Sequence, residues 1–313
     1  MTATTKGIGT LIISIDLELA WGNRGKTHFT PLHMLEREAI TQFLLLCEKY
    51  VIPCTWATVG NLFLSGVGEA KQRDIELFGQ AAILYDLIAE KKTDESLWFG
   101  ADIVECILSC RTEQEIGCHT FFHTLTQQTT PSEFERELKQ AMQIGKEKYG
   151  LLMKSFVYPR NYVGMCEVLR RVGLTNYRGN EQVQFFGGRF GQTRVADYIE
   201  SLCALPIPAV QHRTTDDGLV VLPASYFFGK VLARGILVPM SLRLLRSMHG
   251  IDRSIHDGGI FHLWFHPHNM AQDISLWMRS MEVLFQYVAH ARERGELHVT
   301  TMGGFTDTIQ TAI

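Results

Sequence analysis

The sequence predicts an α/β fold of repeated βα units in a single domain, and three observations carry that prediction. Short apolar, β-branched runs alternate with longer amphipathic segments from one end of the chain to the other. No stretch rich in Pro, Gly or Ser divides them, no low-complexity tract interrupts them and no unit repeats at a fixed period, so residues 1–313 are read as one domain. The 46% hydrophobic content is sufficient for one large core at this length.

The expected strands cover residues 10–15, 52–57, 115–118, 154–158, 174–177, 219–222, 259–265 and 298–301. Of the helices between them, one is signalled by Thr30-Pro31, a cap followed by proline at the first helical position. Another is signalled by a capping box in Ser132-Glu133-Phe134-Glu135, and should run to Tyr149 and stop at Gly150. The stretches 185–194 and 204–217 have the weakest periodicity and read as loops of the kind that hold substrate.

Charge and composition narrow the function classes. The net charge is -3 and no run of five like charges occurs, which argues against nucleic acid as a partner. The N-terminal MTATTKGIGT lacks the apolar core of a signal peptide, and no segment reaches the roughly 18 apolar residues of a membrane span, so a cytoplasmic protein is expected. The seven cysteines include no C-x-x-C pair and read as reduced core residues. Oligomeric state is not encoded in any of these patterns.

Four segments could carry chemistry. In LIISIDLELAWG (11–22), strand alternation puts Asp16 and Glu18 on one side near the strand's carboxyl end. Two carboxylates so placed repel unless solvent or a cation relieves them, and a solvated strand end is the simpler alternative. In EIGCHTFFHT (115–124), His119 and His123 have the spacing of one helical turn, and two imidazoles with a carboxylate leave a metal position open for water. With twelve histidines in the chain such a pair also arises by chance, and His262 with His266 supplies another.

In FHLWFHPHNM (261–270), Pro267 ends the strand and would let His266 project from its terminus as a general acid, with His262 a core residue and His268 a surface one. In KSFVYPRNYVG (154–164), Arg160 could hold a base ionised or bind substrate, and backbone N–H groups after the proline turn could bind an oxyanion. An ordinary polar loop is the alternative there.

Taken together and in this order, the four segments resemble the motifs of the NodB-homology polysaccharide deacetylases, carbohydrate esterase family 4-like, over roughly residues 8–305. The resemblance implies a distorted (β/α)7-type barrel and metal-dependent hydrolysis of an N-acetyl or similar amide on a carbohydrate or sugar precursor. It implies Asp16 as base, Glu18, His119 and His123 as metal ligands, His266 as acid and a divalent transition metal, zinc first. The Asp-Leu-Glu spacing is similar to that of intracellular and amide-hydrolysing branches. Where the family carries an arginine before its third-motif proline, Val157 stands here, and Arg160 after Pro159 is its expected substitute. The acidic and tryptophan motif that orients the acid histidine has no counterpart. Two rivals follow: an amidase for a small non-sugar amide such as a cyclic ureide or formamide, and a catalytically silent carbohydrate-binding barrel. A sugar groove would use stacked aromatics such as Trp21, Trp56 and Trp264, whereas a small amide needs a closed pocket.

Overall fold

Alternation of buried strands with amphipathic helices becomes, in the computed structural model, a curled sheet wrapped in helices. The structure describes residues 7–23, 32–73, 85, 94–181, 204–229 and 238–311. The strands are β1 (Gly9–Leu17), β2 (Thr55–Thr58), β3 (Glu115–Cys118), β4 (Ser155–Val157), β5 (Asn176–Gly179), β6 (Arg213–Thr214), β7 (Val220–Pro223), β8 (Tyr226–Phe227), β9 (Ile260–Phe265) and β10 (Leu297–Thr300). The helices are α1 (Leu32–Tyr50), α2 (Val67–Gln72), α3 (Ala101–Leu108), α4 (Pro131–Tyr149), α5 (Cys166–Arg171), α6 (Met240–Asp257), α7 (Pro267–Met270), α8 (Ile274–Glu293) and α9 (Met302–Thr311).

The sheet runs β6-β7-β5-β4-β3-β2-β1-β9-β8, with β10 also on β1, and among these strands only the β6–β7 pairing is antiparallel. It curls far enough that Val210, just before β6, exchanges backbone hydrogen bonds of 2.9 and 2.8 Å with Ile260 of β9. This is the distorted (β/α) barrel expected, with all eight anticipated strands present and the short β6 and β8 added. The stretch 204–217 is partly irregular, as expected, whereas 185–194 and the Thr30-Pro31 cap lie outside the described residues.

Parallel strands buried on both faces divide the apolar side chains into two sets. One packs between sheet and helices; the other, with Ile12, Ala57, Val157, Leu222 and Ile260, fills the barrel interior and is closed below by Met302, Phe305 and Ile309 of α9. Along β1 the inward face reads Ile12, Ser14, Asp16, so the interior changes from apolar to polar toward the strands' carboxyl ends.

The helix at 131–149 is capped two residues before the expected position. Thr130, not Ser132, accepts from the Glu133 N–H, and Glu133 accepts in turn from the Thr130 N–H, because Pro131 supplies the first-turn residue that needs no donor. It ends at Gly150 with φ 70°, as expected.

Candidate metal centre and active site

Three of the anticipated residues converge at the carboxyl end of the barrel. Glu18 follows β1 directly, and the turn after it is pinned by Trp21, which is fully buried and whose indole N–H donates to the Trp98 carbonyl at 2.7 Å. Gly22 clears the carboxylate: a Cβ there would lie 1.8 Å from Glu18 Oε2. His119 and His123 follow β3, but not on a helical turn as their spacing suggested. Thr120 and His123 are left-handed (φ 61° and 57°), so the segment folds into an irregular turn that brings the two rings to 5.1 Å. Glu137 of α4 holds that turn by accepting from the Phe121 and Phe122 N–H groups at 3.2 Å each.

Glu18 Oε1 lies 3.2 Å from His119 Nε2, 3.1 Å from His123 Nε2 and 3.5 Å from His266 Nε2. The His119 contact decides what belongs there. Its Nδ1 sits 2.7 Å from the Val157 carbonyl, which can only accept, so Nδ1 carries the proton and Nε2 of the neutral ring is a bare lone pair. That lone pair faces a carboxylate oxygen, acceptor against acceptor, inside a buried site. Only a cation or an extra proton makes this favourable, and one carboxylate with two Nε2 atoms is the donor set of a transition-metal site. Glu18, His119 and His123 can therefore hold a metal ion, and Asp16, Glu18 and His266 form an overlapping cluster.

Asp16 is buried beside this cluster, but Arg160 is not its partner. Arg178 of β5 is: Nη1 and Nη2 donate to Oδ1 and Oδ2 at 2.6 and 2.7 Å. Arg178 also donates to Ser14 Oγ and Asn161 Oδ1, both at 3.0 Å, and stacks 4.2 Å over Trp264. Arg160 is exposed; its left-handed backbone (φ 53°) turns the loop so that the next residue, Asn161, reaches Arg178. In Asn176-Tyr177-Arg178, strand alternation puts Asn176 and Arg178 on one face, but the strand expected from the sequence ends at Tyr177 and leaves Arg178 out.

The charges reinforce one another. Burial alone would raise the Asp16 carboxyl, yet Arg178 and then His266 outweigh it and hold the pKa below the ordinary value. Burial is likewise outweighed at Glu18, held well below its usual range chiefly by His123 and His266. His266, extending from β9, lies 3.7 Å from Asp16 Oδ2, and although burial lowers its pKa, Glu18 and Asp16 raise it above the ordinary histidine value.

The neighbouring histidines divide. His262 is the core residue expected, fully buried with Nε2 2.9 Å from Ser14 Oγ. His268 is not a surface residue: α7 turns its ring onto His266, with centroids 4.7 Å apart. The three tryptophans are no platform either. Trp21 and Trp56 are fully buried, and Trp264 is 9% exposed between Arg178 and Phe227. No helix among the described residues is long and apolar enough to cross a membrane.

No family model matches this sequence, and no curated protein matches it. Solved structures do match. A protein from Mycobacterium smegmatis provisionally assigned as a polysaccharide deacetylase is 10% identical with a TM-score of 0.65, covering 100% of this chain and 93% of its own. Puue allantoinase is 10% identical with a TM-score of 0.59, covering 95% and 89%. A protein from Pseudomonas aeruginosa PAO1 provisionally assigned as a polysaccharide deacetylase is 11% identical with a TM-score of 0.56, also covering 95% and 89%. At these identities the likeness is one of architecture, and with the curled parallel sheet and the polar upper end of its barrel it gives the conclusion that this chain has the NodB-type deacetylase fold.

Proposed function

We propose that the chain is a metal-dependent hydrolase of carbon–nitrogen bonds that removes an N-acetyl or similar acyl group, with Glu18, His119 and His123 as metal ligands and zinc as the first ion to test. The observation that carries this reading is the His119 Nε2 lone pair held against Glu18 Oε1, 3.2 Å away, with Asp16 and His266 at its side. When bound, the ion polarises the acyl carbonyl and lowers the pKa of the attacking water.

The remaining steps fall to the chain's own residues. Asp16, kept ionised by Arg178, takes the proton of the attacking water. His266 Nε2, within 3.7 Å of both carboxylates, gives a proton to the departing amine, which leaves poorly without one. In the 159–163 loop the Asn161, Tyr162 and Val163 N–H groups already bond carbonyls, so Arg160 is the position from which a backbone N–H can meet the oxyanion. Arg160 thereby keeps a part in this reading, through its backbone.

Two substrate classes fit the chemistry. An N-acylated carbohydrate or sugar precursor is the first. The second, a small non-sugar amide, is favoured by the burial of Trp21, Trp56 and Trp264, which leaves none of these faces to stack on a sugar ring. Metal analysis of the native chain beside Glu18→Ala and His119→Ala tests the centre, and acetate release from N-acetylated sugar nucleotides against ammonia release from cyclic ureides separates the substrates. About one equivalent of metal, lost in both variants, is expected. A native chain that takes up none after reconstitution would leave the silent-barrel reading in first place.

A further inference from the structure

His266 has no orienting acid in the sequence motifs, yet it is enclosed. Phe227 and Trp264 lie 5.7 Å from its ring and His268 packs closest, at 4.7 Å and 31° to it. Its Nδ1 is buried and has no hydrogen-bond partner among the described residues, so no hydrogen bond at that atom fixes the ring. The terminal torsion of an imidazole is broad, and rotation of the ring out of its plane swings Nε2 away from Asp16 and Glu18. Packing against the ring face, together with the Nε2 contacts at 3.5 and 3.7 Å, has to hold it.

Behind His268 lies a second buried pair. His33, on the first turn of α1, meets the His268 ring nearly edge-on at 6.2 Å, and its Nδ1 is 2.5 Å from Glu36 Oε1. Glu36 is 1% exposed, and its Oε2 has no hydrogen-bond partner among the described residues. A carboxyl group this deep needs a partner or a proton, and His33 is its partner. Burial raises the Glu36 pKa, His33 opposes the rise, and the Glu18 and His266 charges act on it more weakly. His268, in the middle, is kept neutral by burial, its pKa pushed down to about 3.

We propose that Glu36, His33 and His268 form a positioning array for His266: Glu36 fixes His33, His33 backs His268, and the face of the His268 ring opposes the rotation that would swing Nε2 out of the reacting centre. The array rests on the amide-hydrolysis reading for its purpose and on packing alone for its existence. The three members act through His266, so their effect is on the step that uses it and not on acyl transfer in general.

A matched pair of probes isolates that step. 4-Nitroacetanilide and 4-nitrophenyl acetate share the acyl group, but the amine must be protonated to leave and the nitrophenolate need not be. With the metal-loaded full chain, His268→Ala and Glu36→Leu are expected to lower anilide hydrolysis about 10-fold while changing ester hydrolysis by less than about 3-fold, His266→Ala to give about 100-fold on the same ratio, and His268→Phe, which keeps a ring in place, to restore most of the loss. Equal losses on both probes, or none, in His268→Ala and Glu36→Leu would overturn the array while His266→Ala still splits the two. NMR of the histidine-labelled chain gives a readout that needs no turnover. Native His266 should show one sharp set of ring resonances that broadens in His268→Ala, and an unchanged set would overturn the array. Broadening without any anilide turnover would instead keep the array and sink the hydrolysis reading.

Discussion

Two carboxylates at opposite ends of the barrel have opposite surroundings. Glu115, where β3 begins, faces donors only: Thr55 Oγ1 at 2.7 Å, Ser155 Oγ at 2.5 Å and the Gly303 N–H at 2.9 Å. It ties β2, β3 and β4 to the first turn of α9, the helix that closes the bottom of the barrel, and complements that helix's N-terminus. Glu18, where β1 ends, faces three imidazole Nε2 atoms, one of them a bare lone pair. A carboxylate saturated by donors is a structural joint, whereas one that faces an imidazole lone pair can hold a cation.

The largest effect that sharpens this contrast is expected at Glu18. Glu18→Gln replaces the acceptor facing His119 with an amide that can donate to it, so bound metal should weaken by ~100-fold or more while the metal-free protein melts no lower than the native chain. Metal titration and melting curves with and without chelator check both halves, and a metal-free variant that melts far lower would mean Glu18 is a joint like Glu115. A smaller effect belongs to Glu137, which holds the turn carrying His119 and His123 through the Phe121 and Phe122 N–H groups. Glu137→Gln should cost about 10-fold in metal affinity, read by competition with a chromogenic chelator, with both histidines still binding. The smallest change in metal binding, none, is expected for Glu115→Gln. It should lower stability by about 1 kcal/mol in urea unfolding and leave metal content at the native level. A loss of metal in that variant would erase the distinction between the two ends.

The fold was legible because its signal is repetitive: eight buried strands, each a short β-branched run, survive errors of one or two residues at their ends. The site was legible where chain order sufficed. Asp16 and Glu18 flank one strand end, and the other motifs place their histidines just after strands, so a barrel brings Glu18, His119, His123 and His266 together. What failed was pairing across distance. Arg178 lies 162 residues from Asp16 and falls one residue beyond the strand end that was expected, while Arg160, nearer in motif order, turns outward. His268 reads as a surface residue until α7 folds it against its neighbour.

The sequence by itself determined the βα alternation, the side of each strand that looks inward and which acids and imidazoles stand at strand ends, because these follow from local periodicity. Only the tertiary structure decided which arginine holds Asp16, that HTFFH turns through left-handed backbone instead of a helix, and that Glu36 of α1 comes to rest behind His268. Those outcomes depend on sheet curvature and helix packing. Both sum contacts from distant parts of the chain, and no local pattern encodes them.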